Sequence, residues 1–228
     1  MPAYASWFRV HPRTVLEQVD ASIGLLGAPA HTAAMVDLQL VGLDGPLFRA
    51  GLARARAELV HQLAAQADAE QRLQAARRDQ RAAAEHFYGW RGRLFARLRL
   101  AARQGGDPER SFAKVFGYRK VPQLRAAGLV RHGAELFVAL EVRSASLSVR
   151  GVDAEFVARG RALYRALTAH HAEVGDITAD RKVASAAVQQ ACETIRDQLL
   201  ILVAADDAAA LEVGRPLAFG LKVLRPSI

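Results

Sequence analysis

A single cysteine, Cys192, stands in 228 residues, which excludes an intrachain disulfide and any multi-cysteine zinc site. It falls in an apolar helical stretch, where a free thiol is expected to be buried. Aromatic residues supply only 7% of the chain, so much of any core must rest on alanine and the aliphatics. An alanine-rich seam brings helices close but buries little area per residue, and its stability has to be spread along long contacts. Lysine is scarce, with 4 residues against 27 arginines. Arginine offers planar, bidentate contacts that lysine does not, although the ratio alone says little about phosphate binding.

Long apolar runs are missing too. Leu199–Ala205 is far too short to cross a bilayer as a helix. The amino terminus has no basic segment followed by an apolar core and a small-residue cleavage site, so a cytoplasmic protein is expected. Gly-x-Ser-x-Gly, Gly-x-x-x-x-Gly-Lys-Ser/Thr and Gly-x-Gly-x-x-Gly are all absent, which leaves no connected catalytic or cofactor motif. No cofactor is expected. Asp206-Asp207 reads as a solvated pair near a helix end. One Glu-x-x-His occurs, Glu58-Leu-Val-His61. A di-iron bundle needs a second and further glutamates. Here Glu85, Glu173, Glu193 or His170 would have to complete the set, and an exposed pair without metal is the expectation.

What the chain does have is helix. Residues 46–104 read as one long helix or a helical hairpin, which could reach roughly 85 Å if unbroken. Phe48, Leu52, Ala55, Leu59, Leu63 and Ala67 repeat at spacings of three and four in its first half. Its middle, 66–84, is dominated by Ala, Gln and Arg with Leu73 its only large apolar residue, and is expected either to project or to bend back. Phe87, Trp90, Leu94 and Leu98 then restore the helical row, and Gly89 and Gly92 are expected to mark a kink or a close crossing.

Pro12 opens an earlier helix carrying Val15, Leu16, Val19 and Ile23, stopped by Gly24, Gly27 and Pro29. Short helices are expected over 109–116 and 121–130. Residues 134–149 fit either a helix over 134–144 or a pair of strands. Within 152–212, Asp153 caps a helix with the seam Phe156, Gly160, Leu163, Leu167, His170 and Val174, ended or bent by Gly175-Asp176. His170 is expected inside and His171 outside. A second helix then carries Val183, Ala187, Ala191, Ile195, Leu199 and Leu202, with 199–203 apolar all round. Met35–Val41 and Leu217–Val223 alternate as strands do. Arg91-Gly92-Arg93…Arg97 echoes Arg159-Gly160-Arg161…Arg165, too briefly for a repeat.

These features predict a mainly α fold, an elongated helical bundle or antiparallel coiled coil with a small β element, in a single domain spanning 1–228. The formal charge is +8, and between Arg72 and Arg103 nine arginines face only Asp79 and Glu85. Tyr88, Trp90, Arg91, Arg93, Arg97 and Arg99 are the candidate interface or nucleic-acid residues, because aromatics interleaved with arginines serve either role. Tyr118, Arg119 and Lys120 form a second, weaker cluster between short helices. The same spacing makes Phe87, Trp90, Leu94 and Leu98 a core row. Function is expected to be non-enzymatic: an assembly or scaffold protein that forms a homo-oligomer or binds a protein partner. The alternative is accessory nucleic-acid binding through the basic face of 72–103. A membrane surface is the least favoured partner.

Overall fold

Proline is tolerated in the first turn of a helix because the N–H it lacks is left unpaired there in any case. Pro12 accordingly opens α1 (Pro12–Leu26), and His11 caps it, its Nδ1 accepting from the Arg13 N–H at 3.2 Å. The computed structural model describes residues 11–29, 45–104, 116, 125–142 and 152–213. Three further helices follow: α2 (Gly45–Gln104), α3 (Ala126–Val142) and α4 (Ala154–Val213). The protein is mainly α, with no strand among the described residues. Both segments expected as strands lie outside those residues, as do 109–115 of an expected short helix.

Both α2 and α4 run for 60 residues. The middle of α2 does not project. Ala69, Leu73, Ala76 and Ala83 are buried there, and the four-three spacing continues through Phe87, Trp90 and Leu94. Gln80 fills the one gap in this row and hydrogen-bonds His171 of α4 at 2.9 Å. Thus His171, expected outside, reaches across to α2, while His170 pairs with Glu173 of its own helix at 3.1 Å. The two rings flank the seam on either side of Leu167 and Val174, and only one of them meets α2.

From sequence, Gly175-Asp176 is expected to end or bend a helix, and α4 does not end there but continues across it. The hydroxyl of Thr178 donates to the Val174 carbonyl at 2.6 Å, bridging the glycine. A glycine inside a helix costs about 1 kcal/mol relative to alanine, too little to break one that is packed on both sides. α3 likewise runs unbroken where two short elements were expected.

Packing divides the chain into two compact units, residues 1–69 with 181–228 and residues 70–180. In the first unit, Val15, Val19 and Leu26 of α1 meet Leu52 and Leu59 of α2 and Val188, Ile195, Leu199 and Leu202 of α4. Gln66 Nε2 donates to Ser185 Oγ at 3.1 Å. The run 199–203 is not enclosed on every side, because Ile201 remains 47% exposed.

In the second unit, Arg72 meets Asp180, Gln80 meets His171 and Trp90 meets Phe156. Partners fall along α4 as they rise along α2, so the two segments run antiparallel. Asp153 caps α4 as expected, its Oδ1 accepting from the Phe156 N–H at 2.6 Å.

The close approaches in this unit are not at Gly89 or Gly92, where an added methyl would meet nothing within 4 Å. They are at Gly160 and Gly133. A Cβ on Gly160 would lie 2.0 Å from the Trp90 ring, and one on Gly133 would lie 2.5 Å from the Tyr164 ring. Trp90 Nε1 donates to the Phe156 carbonyl at 3.0 Å, and the Tyr164 hydroxyl donates to the Val130 carbonyl at 3.1 Å. Each ring therefore lies across a glycine of the facing helix and hydrogen-bonds a carbonyl about one turn before it. Gly160→Ala is expected to lower stability by about 1–3 kcal/mol through overpacking. Gly175→Ala, with nothing within 4 Å of the added methyl, should raise it by about 0.5–1 kcal/mol. Urea denaturation followed by far-ultraviolet circular dichroism checks both signs.

Candidate functional site

On one side of the α2 core row, Tyr88, Arg91 and Phe95 stand at i, i+3 and i+7. This spacing stacks side chains along a helix flank. Arg91 is only 4% exposed, the one charged residue among the buried side chains described. Its guanidinium carbon lies 4.7 Å from the Phe95 ring centroid and 5.9 Å from that of Tyr88. From α3, the His132 ring stacks on Phe95 with centroids 6.5 Å apart. Two faces of Phe95's surroundings thus carry nitrogen-rich planar groups from different helices.

The hydrogen bonding here is incomplete. Among the described residues, Nε and Nη2 of Arg91 and Nε2 of His132 are buried and find no hydrogen-bond partner. Burial lowers the Arg91 guanidinium below its usual value, with the nearby Tyr88 opposing. An arginine starts so high that it stays charged regardless. Burial likewise lowers His132, the Arg91 charge adds to that, and Glu135 works against both. The arrangement is an aromatic-walled cation whose Nε and Nη2 meet no acceptor among the described residues. Its chemistry suits recognition of an anion rather than proton transfer.

The residues singled out from sequence separate into three groups. Trp90 is 2% exposed and sits at the centre of the core, stacked at 5.5 Å on both Phe137 and Phe156. With Arg91 it is withdrawn from the surface. Tyr88, 44% exposed, and Arg93, Arg97 and Arg99 remain on the outside. Tyr118, Arg119 and Lys120 lie outside the described residues. His132 was not anticipated: no spacing marks it, and it is placed only by the packing of α3 on α2.

Other candidates are dispersed. Glu58 accepts from Gln62 at 2.5 Å, Glu85 from Arg81 at 3.1 Å and Glu193 from Gln189 at 3.2 Å. No group of three or more His, Cys, Asp or Glu among the described residues is placed to hold a metal ion. Cys192 is half-buried, and burial raises its thiol above the ordinary value. That makes it less nucleophilic. No described helix is both long and apolar enough to cross a membrane. No protein family, curated protein or solved structure matches this chain.

An unpaired buried charge is among the least favourable groups a core can hold. Arg91→Met is expected to stabilise the protein by about 1–4 kcal/mol, read from thermal or urea unfolding. The same substitution removes a charge that lowers His132, so the His132 ring should titrate closer to its ordinary value of 6.5. Proton NMR of the imidazole measures that.

A second consequence concerns pH. A histidine whose folded value lies below 6.5 binds protons more readily when the chain is unfolded. Its contribution is complete above pH 6.5 and is lost as pH falls from there through the folded value. The difference in stability between the wild type and His132→Leu should therefore shrink as the solution is acidified through that range. Unfolding curves at several pH values give it.

Proposed function

We propose that this chain is a non-enzymatic assembly protein, built as a helical bundle whose two long helices pair in coiled-coil fashion and which associates with a second copy of itself. The observation that carries this is an outer row on α3. Val138 and Val142, one turn apart, are 60% and 79% exposed, while the opposite side of the same helix supplies Leu129, Leu136, Phe137 and Leu140 to the core. Exposed valines spaced one turn apart favour burial against a partner. Exposed Arg131 and Glu135 precede the valines on α3. A second copy meeting this row with its own row makes an isologous contact, the same patch on both subunits.

Sedimentation equilibrium tests this. The average mass should rise with concentration for the wild type, and Val138→Asp with Val142→Asp should weaken association about tenfold or more while leaving the fold intact. A wild type that stays monomeric at every concentration would end this reading.

The second reading, polyanion binding, is favoured by where the charge resides. Residues 70–180 carry 20 Lys and Arg against 12 Asp and Glu, and the other unit carries 11 of each. The whole excess of +8 thus belongs to one unit. Exposed Arg77, Arg78, Arg93 and Arg99 of α2 are part of it. Affinity for duplex DNA or RNA should then fall about a thousandfold between roughly 50 and 200 mM salt, with little sequence preference. A labelled-duplex titration with no binding at the lower salt rejects it.

A further inference from the structure

We propose that Arg91 is the receptor for a small carboxylate, held side-on by its Nε and Nη2 edge with the His132 ring beside it. The proposal is independent of the assembly reading. Its first support is geometric. Nε–H and Nη2–H of a guanidinium point the same way and match the two oxygens of a carboxylate. On Arg91 these are the two nitrogens that find no partner among the described residues, and both are buried.

The chain itself displays the complementary arrangement elsewhere. In the other unit Arg56 donates through Nε to Asp20 Oδ1 and through Nη2 to Asp20 Oδ2, the latter at 3.0 Å. The same edge therefore engages a carboxylate side-on where the protein provides one. Glu135, exposed on α3, acts on His132, and no carboxylate among the described residues accepts from Nε or Nη2 of Arg91.

The surroundings choose the ligand. Arg91 lies over the rings of Phe95 and Tyr88, which leaves a flat edge between flat walls. A planar monoanion fits this and neutralises one charge with one. A phosphate dianion needs a second cation, and His132 resists protonation in this setting. The buried edge also limits size. Of the two rings, Tyr88, 44% exposed, is the one that reaches solvent.

The test uses the full chain with sodium acetate as probe, against sodium chloride and sodium phosphate at matched ionic strength. The Arg91 Nε–H signal in nitrogen-15 NMR, assigned by its loss in Arg91→Lys, reports binding directly. Acetate should shift it saturably with a dissociation constant on the order of millimolar. Arg91→Lys keeps a charge but lacks the paired edge, and should bind about tenfold or more weakly when followed through the His132 ring. Arg91→Gln is the second variant should the lysine form fail to fold. Acetate should also raise the His132 titration in the wild type, since an added negative charge favours the imidazolium. A shift that grows linearly in acetate and chloride alike overturns the proposal, as does undiminished acetate binding by the folded variants. Tighter saturation by phosphate overturns the choice of a carboxylate.

Discussion

Two aromatic rings lying across two glycines set the spacing of the second unit, and most of what is distinctive there depends on them. Trp90 from α2 rests on Gly160 of α4, and Tyr164 from α4 rests on Gly133 of α3. Any side chain at either glycine would push a helix away. The rings are also tethered, the indole to the Phe156 carbonyl and the phenol to the Val130 carbonyl. A large apolar ring gains most from burial when its polar tip is satisfied. Phe87, 5.7 Å from both Trp90 and Tyr164, joins the two contacts into one cluster with Phe137. The aromatics are concentrated here, while the middle of α2 buries alanines and the first unit rests on Val, Leu and Ile.

That concentration also explains how a charged group comes to be interior. Once Trp90 fixes the rotation of α2, Arg91 is turned toward α3, next to His132. Its stem and guanidinium are then covered by Phe95 and Tyr88. Cation–π contact recovers part of the desolvation cost, on the order of 1–2 kcal/mol, but not the hydrogen bonds left unmade. A core selected for stability alone would hold an apolar side chain at this position. Packing alone does not account for an arginine here, and the proposed uptake of a carboxylate by its Nε and Nη2 edge would.

Much of the helical framework was legible. The rows Phe87–Trp90–Leu94–Leu98 and Phe156–Gly160–Leu163–Leu167 were visible as spacing, and Pro12 and Asp153 marked true helix starts. The buried middle of α2 was not, because Ala69, Ala76 and Ala83 carry the same four-three pattern in a residue that is equally common on solvent faces. Gly175 misled for a related reason: glycine signals an end only where nothing else holds the helix. The echo between Arg91-Gly92-Arg93 and Arg159-Gly160-Arg161 shows the limit of motif reading. Gly92 faces open space while Gly160 receives an indole, and only the facing helix distinguishes them. His132 was illegible for the same cause, since its role exists only across α2 and α3.

The arginine excess then divides by position. Arg97 lies 4.1 Å from the Phe156 ring centroid and Arg161 5.7 Å from that of Phe137, with Arg161 also bonded to Glu141. These side chains cover the rims of the aromatic cluster while their charges stay wet, and lysine lacks the planar group to do this equally well. Arg81 and Arg159 pair with Glu85 and Glu155 one turn away, contacts that contribute little when so exposed. A sequence count treats all of them as one basic stripe. Physically, some arginines are lids on the core, some are solvated pairs, and Arg91 is an interior donor. Only the first and last of these roles require arginine, so the scarcity of lysine follows in part from the aromatic cluster and does not by itself point to nucleic acid.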